Sequence, residues 1–409
     1  MSNSIDRLIS QAPFSLTQEQ KEPLFHAAMK EAFTHHVSSN PLFERYCIKK
    51  SLDLNSFPSD LSELPYIPVN IFKSKNLSSV SKENITKTLH SSATSGVPST
   101  ILIDPITSKR QTQVSAKVMS EFLGNHRRPF LILDEDPGKT SNNEQTARTA
   151  ATTGFVIFSN DTSYLLTDNN GDLSIDLDQL TALLQEAEIS KQEVTILGFT
   201  YILYHHVVRI LKDKGVSFSL PKNSKIIHIG GWKKLESQKV SKKKFSEDTG
   251  TIFGVSRNDI VDFYGFTEQM GLVYGNQGLD PKPLHNYAEI IIRDIQTLQP
   301  TEEGKEGFIQ ILTPIPNSYP GISILTEDIG RIVDIGPNPN GYATKRFEII
   351  GRAEKAEVRG CGDIMSEVVI SCLFFPSLQT PAIYCPCPTT WTVNYYLIFL
   401  KSLMRTYSQ

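Results

Sequence analysis

DIVDFYGFTEQMG, Asp259 to Gly271, is the stretch on which the fold turns. A short apolar run from Ile260 ends in Tyr264 and Gly265, and a hydroxyl and a carboxyl, Thr267 and Glu268, follow at once. A carboxylate and a hydroxyl at the C-terminal end of a parallel strand lie where α/β folds bind ligands. A Thr-Glu pair after a strand also suits a helix start, so the stretch alone leaves both readings open. Upstream the same rhythm recurs. PFLILD (129–134), GFVIF (154–158), VTILGF (194–199) and KIIHIGG (225–231) read as buried strands, while DLDQLTALLQEAEI (176–189) and YILYHHVVRILKDKG (201–215) read as amphipathic helices. Such alternation predicts βαβ units and a parallel sheet. Beyond Ala288 only strand patterns remain, AEIIIRD, GFIQILTP, GISILTEDIGRIVDI and KRFEIIG, separated by Gly- and Pro-rich turns. They predict a small β subdomain. Residues 14–50 read as helical, with Leu24, Ala28, Phe33 and Val37 at helical spacing.

The whole chain bounds these readings. At 409 residues it has room for two or three domains with a large core. Forty-one Lys+Arg against 44 Asp+Glu give a net charge of -3, which disfavours nucleic acid or an anionic membrane as a partner. The N-terminal MSNSIDRLISQAPF lacks a basic segment followed by an apolar run, and the expected compartment is the cytoplasm. Five Cys without a CxxC spacing argue against a disulfide framework or a structural zinc site. Val368 to Leu400 carries no charged residue, yet Pro376, Pro381, Pro386 and Pro388 break it into pieces too short for a membrane span. Its composition sets it apart as a divergent tail.

Three stretches carry chemistry. HSSATSGVPST, His90 to Thr100, crowds hydroxyl side chains around Gly96 just before the apolar ILID. Backbone N–H groups and hydroxyls in such a turn suit a phosphate, although a solvated turn has the same composition. Gly138-Lys139-Thr140 fails as a P-loop because Leu133 stands where the first Gly is needed. Glu268 is a candidate Mg²⁺ ligand, since magnesium is bound by one or two carboxylates plus substrate phosphates. In ILTEDIGRIVDIG and FEIIGRAEKAEVRGC, Asp328 can accept from vicinal ribose hydroxyls and Arg352 can reach a phosphate or carboxylate; each also suits a surface ion pair. The basic run at Lys239 and Lys242 to Lys244 reads as a solvated face, and Cys47 as core packing.

In this order and spacing the stretches resemble the adenylate-forming superfamily of acyl-CoA synthetases, luciferases and nonribosomal adenylation domains, over about residues 60–362. Ser91, Ser92, Thr94, Ser95 and Gly96 look like its phosphate loop, and Gly230-Gly231 like its adenine-side Gly pair. Tyr264, Gly265, Thr267 and Glu268 match its aromatic-Gly-x-Thr-Glu signature, Asp328 its ribose-binding Asp, and Arg352 and Glu354 its hinge. The resemblance implies an α/β fold: an adenylate-forming N-terminal domain with parallel sheet layers and a small β subdomain, its C-terminal domain truncated to a hinge and tail. The expected divisions are an N-terminal helical segment (1–60), the adenylate-forming domain (61–350, β-rich from about 288 to 350), a hinge and acyl-acceptor segment (351–366), and the tail (367–409). Two departures stand out: Ala93 replaces the usual Gly, with ordinary negative φ expected there, and Ser99 replaces a Lys.

Within the superfamily the chain is most similar to the acyl-protein synthetases of bacterial luminescence fatty-acid reductase complexes. FSLTQEQKEPLF, LPYIPVNIFKS, HIGGWKKL and EVRGCG carry this closer likeness. It implies ATP and Mg²⁺ as cofactors, a fatty or other carboxylic acid as substrate, and Cys361 as the thiol that accepts the acyl group. A thiolate readily attacks an acyl-adenylate, and Arg359 with Gly360 and Gly362 would favour the anion and leave the backbone free to swing. The resemblance also implies an acyl-CoA-reductase-like protein partner. A CoA ligase of the phenylacetate type, or a catalytically silent nucleotide-binding scaffold, would share most of these motifs.

Overall fold

The computed structural model describes residues 3–54, 56–91, 97–138, 147–169, 172–232 and 238–353. Its strands are β1 (Ile67–Pro68), β2 (Lys87–His90), β3 (Thr100–Ile103), β4 (Arg128–Leu133), β5 (Ser159–Tyr164), β6 (Leu166–Asn169), β7 (Asp172–Ile175) and β8 (Thr195–Phe199). There follow β9 (Lys225–Ile229), β10 (Ile260–Tyr264), β11 (Tyr274–Gln277), β12 (Lys282–Pro283), β13 (Glu289–Arg293), β14 (Gly307–Leu312), β15 (Ser323–Pro337) and β16 (Ala343–Arg352). One six-stranded sheet runs β11-β10-β9-β8-β4-β5 and is parallel except for the β10–β11 pair. The fold expected from the sequence, a parallel sheet followed by a β region, is the fold observed.

Burial explains why the parallel strands are nearly continuous runs of apolar residues. All five residues of β8 are buried, because neighbouring strands cover its edges and other elements cover both faces. Ile132, Ile196, Ile226 and Val261 have no exposed surface, each contributing about 1.5–3 kcal/mol through burial. The edge strand β5 reads SNDTSY instead. GFVIF, read as a strand, is not one: Val156–Phe158 forms a single 3₁₀ turn, and Phe155 sets its ring against Phe263 with centroids 5.3 Å apart. Phe155 fills space beside the sheet while Ile157 is exposed, and the ladder starts at Ser159.

The second sheet is the β region, in the order β12-β16-β15-β14-β13, with β1 added in parallel to β15. Its spine is the long antiparallel pair of β15 and β16, which places Asp328 opposite Arg352. The N-terminal helix read over 14–50 is divided in two, α-helices Gln18–Ser39 and Pro41–Lys49. Asn40 makes the break: its side chain accepts from the N–H groups of Leu42 and Phe43, and Pro41 takes the first helical position. Among the described residues no helix is long and apolar enough to cross a membrane.

A buried polar knot ties the β2–β3 hairpin to the second sheet. Asp104 caps the helix Pro105–Leu123 and accepts from Asn317 Nδ2 at 2.8 Å. Thr107 Oγ1 accepts from the N–H groups of Asn317 and Ser318, and Ser318 Oγ donates to the Leu102 carbonyl. The segment leading to Tyr319 is thereby fixed against the strand that leaves the Ser/Thr loop.

Candidate active site

The C-terminal ends of β8, β9 and β10 point to one edge of the parallel sheet, where the second sheet meets it. At the end of β10, Tyr264 Oη donates to Asp328 Oδ2 on β15 at 2.7 Å. Loss of water around the pair raises both groups: the Tyr264 phenol well above its usual value, and the Asp328 carboxyl as well, although the Tyr264 bond and the Arg352 charge oppose the latter. Arg352 donates to Glu327 Oε2 at 2.6 Å, and the Ala353 N–H reaches the Glu327 carbonyl. Burial opposes its charge, but Glu327, Asp328 and Glu268 together hold its pKa above the ordinary arginine value. Arg352 therefore feels the carboxylates of both β15 and the turn after β10.

Glu268 lies in that turn, Thr267–Gln269, and is 5% exposed. The backbone is pinned from two directions. Tyr319 Oη donates to the Glu268 carbonyl at 2.8 Å, and Gln269 Nε2 donates to the Gly321 and Ile311 carbonyls. Gly271 closes the turn at φ +91°, and a side chain there would collide with Gln111 at 2.5 Å. Burial raises the pKa of the Glu268 carboxyl, and Glu327 adds to the rise; Ser99 and Lys73 work the other way. The Ser99 hydroxyl is itself fully buried. A carboxylate desolvated beside a second carboxylate is a good partner for a hard cation, which would relieve both costs. Among the described residues there is no cluster of three or more His, Cys, Asp or Glu that could hold a metal by itself. Mg²⁺ fits this donor set only if substrate oxygens complete its shell.

The Ser/Thr loop is closed at its neck. The Ser91 N–H donates to the Ser99 carbonyl at 3.1 Å, and the Ser99 N–H donates to Ser91 Oγ at 2.8 Å. Ser91 thus uses one acceptor position of its hydroxyl to hold the neck. Ser92, Ala93, Thr94, Ser95 and Gly96 lie outside the described residues, as do Glu354, Cys361, Lys139, Thr140 and the tail.

The Gly pair follows β9. Gly230 adopts φ +69°, a conformation that disfavours any other residue, and its carbonyl accepts from Thr200 Oγ1 at 2.6 Å. At Gly231 a side chain would meet nothing within 4 Å among the described residues, so their packing does not require glycine there. Having given its proton to Gly230, Thr200 Oγ1 accepts from His228 Nδ1 at 2.9 Å. Burial holds the pKa of His228 down to about 4, against the pull of Asp262. Lys282 Nζ pairs with Asp262 Oδ2 at 2.9 Å and with Asn276 Oδ1. Gly198 is packed into the sheet, where Leu133 lies 3.0 Å from the position of a Cβ, while the Phe199 ring lies against Gly230.

Tyr264, Gly265, Thr267, Glu268, Asp328 and Arg352 therefore gather at one edge, with Ser91 at the loop neck and Gly230-Gly231 after the neighbouring strand. Glu327, Tyr319 and Lys73 were not legible as site residues. Only LPYIPVNIFKS, which contains Lys73, drew attention as a family mark. The basic run is exposed at Lys239 and Lys242 to Lys244, as a solvated face should be, and Lys244 pairs at the surface with Asp248, which also binds Lys212 and Tyr204. Cys47 is buried in the core. Tyr264→Phe is expected to destabilise the protein by about 1.5–3 kcal/mol, the range for a hydrogen bond to a charged group. Urea unfolding measures this, and a loss below about 0.5 kcal/mol would mean the bond to Asp328 contributes little.

Comparisons with known proteins bear on the family and the fold. The profile of the family described as acyl-protein synthetase, LuxE, matches residues 1–370. A long-chain-fatty-acid–luciferin-component ligase of Aliivibrio fischeri is 25% identical over 373 residues, covering 90% of this chain and 95% of the relative. Its counterpart from Vibrio harveyi is 23% identical over 354 residues, covering 86% and 89%. Among solved structures, an open conformation of 2-hydroxyisobutyryl-CoA ligase in complex with 2-HIB-AMP and CoA superposes with a TM-score of 0.62 at 12% identity. That alignment covers 84% of this chain and 77% of the other and shows a shared fold. The chain belongs to the acyl-protein synthetase (LuxE) family.

Proposed function

We propose that the protein activates a fatty acid with ATP to acyl-AMP and then carries the acyl group on Cys361 as a thioester. The observation that carries the adenylation step is the convergence of Glu268, Asp328, Tyr264 and Arg352 beside the neck of the Ser/Thr loop, in a chain of this family. Asp328 accepts from the ribose hydroxyls, with Tyr264 fixing its second oxygen. The loop from Ser91 through Gly96 holds the phosphates, and the space over Gly230-Gly231 takes the adenine. Glu268 would hold Mg²⁺, which supplies charge neutralisation at the phosphates. A carboxylate oxygen of the acid attacks the α-phosphorus, and pyrophosphate leaves. The Cys361 thiolate then attacks the acyl carbon, AMP leaves, and a thioester forms.

The names of the relatives support a long-chain fatty acid as substrate and a luminescence-type fatty-acid reductase complex as the setting, in which an acyl-CoA-reductase-like partner would remove the acyl group. ATP–pyrophosphate exchange tests the first step. Exchange is expected only when a fatty acid is present; absence of exchange across a series of chain lengths, or exchange indifferent to the acid, would reject it.

A further inference from the structure

The turn Val69–Lys73 stands beside the site, and no step above uses it. It follows directly from β1, which pairs with β15 through Ile67–Ile324 and Pro68–Leu325, so it leaves the sheet close to Asp328. It packs on β15 and on β3, the strand that leaves the Ser/Thr loop. Ile71 and Phe72 anchor it in the core, and the Phe72 ring meets Tyr319 edge-on at 5.9 Å, the same Tyr319 that holds the Glu268 carbonyl. In a 3₁₀ turn residues three apart eclipse one another, so Asn70 and Lys73 share a face. Asn70 lines a small hollow with Thr326 and Glu327, and its buried Oδ1 has no partner among the described residues.

Lys73 is half-buried and makes no ion pair among the described residues, although its charge reaches Glu268. Arg352 is already paired with Glu327. The loop from Ser91 to Ser99 contains no Lys or Arg, so a polyphosphate seated in it draws no cation from the loop itself. A phosphate chain needs charge-assisted donors to be held firmly. We propose that Lys73 supplies the missing cation, binding the β- and γ-phosphates of ATP opposite Glu268 and retaining them as pyrophosphate departs. This assignment rests on the adenylation reading above and extends it to a residue outside its motifs.

Equilibrium binding of Mg²⁺-ATP and of AMP, which lacks the β- and γ-phosphates, separates this role from a structural one. In Lys73→Met, ATP binding is expected to weaken about ten- to a hundredfold, the range for a lost charge-assisted hydrogen bond, with AMP binding unchanged. The KM for pyrophosphate in exchange should rise in parallel, the KM for the fatty acid should stay fixed, and Lys73→Arg should recover most of the loss. Equal weakening of ATP and AMP, no weakening of either, or a rise confined to the acid KM would overturn the assignment. Failure of the wild-type protein to bind either nucleotide would overturn the adenylation reading and this assignment with it.

Discussion

Glu268→Gln is expected to lower acid-dependent ATP–pyrophosphate exchange by at least about 10²–10³-fold, the scale seen when a preorganised electrostatic group is removed, while leaving the protein folded. The amide is close to isosteric, and the backbone bonds from Tyr319 and the Gln269 side chain do not depend on the carboxylate. What is lost is the anion that would hold Mg²⁺. The same substitution should raise stability at neutral pH. Burial and Glu327 hold the Glu268 pKa above its unfolded value, so the folded state binds more protons between those two values. The resulting contribution is fully present below the unfolded pKa and is lost as pH rises through the folded one. At neutral pH the ionised carboxylate is therefore a cost that Gln removes. Melting curves across pH should show the variant above wild type near neutrality, with the gap closing as the solution is acidified. In wild type, exchange should fall on the acid side as Glu268 protonates. Normal exchange in Glu268→Gln would reject the metal-holding role, and collapse of the fold would reject the account of its burial.

Cys361→Ser is expected to abolish hydroxylamine-sensitive fatty-acyl label on the protein while leaving pyrophosphate exchange within about twofold, since exchange precedes transfer. A serine hydroxyl is scarcely ionised near neutral pH, whereas a free thiol titrates at about 8.5 and its thiolate is intrinsically nucleophilic. Cys47 offers no substitute: it is fully buried, and desolvation pushes its thiol up to about 12. Label that persists in Cys361→Ser at wild-type level would remove Cys361 as acceptor. Turnover that requires CoA and survives the substitution would instead favour a CoA ligase.

Much of this architecture was legible because one physical rule wrote it. Strands buried on both faces must be apolar throughout, so β4, β8, β9 and β10 stood out as runs, and the ligand edge followed from where those runs end. GFVIF misled for the same reason: an apolar run records burial, and Phe155 is buried against Phe263 without joining the ladder. The break at Asn40 was written in a capping residue followed by proline, a signal that an apolar period of helical spacing runs straight across. At the site, Tyr264 and Asp328 were each found in their own motif, but their bond joins residues 64 apart and belongs to tertiary structure. Lys73 lies inside LPYIPVNIFKS, a family mark that gave it no role. Its position is set by the β1–β15 pairing and the Phe72–Tyr319 contact, neither of which local sequence encodes.

The most direct measurement is to mix Cys361→Ser protein with ATP, Mg²⁺ and radiolabelled fatty acid, quench, and separate the products. With its acceptor removed, the site should accumulate up to about one equivalent of enzyme-bound acyl-AMP, absent when ATP or Mg²⁺ is withheld and absent in the double variant with Glu268→Gln. Failure to detect acyl-AMP, or the appearance of ADP in place of AMP and pyrophosphate, would contradict adenylation at this site.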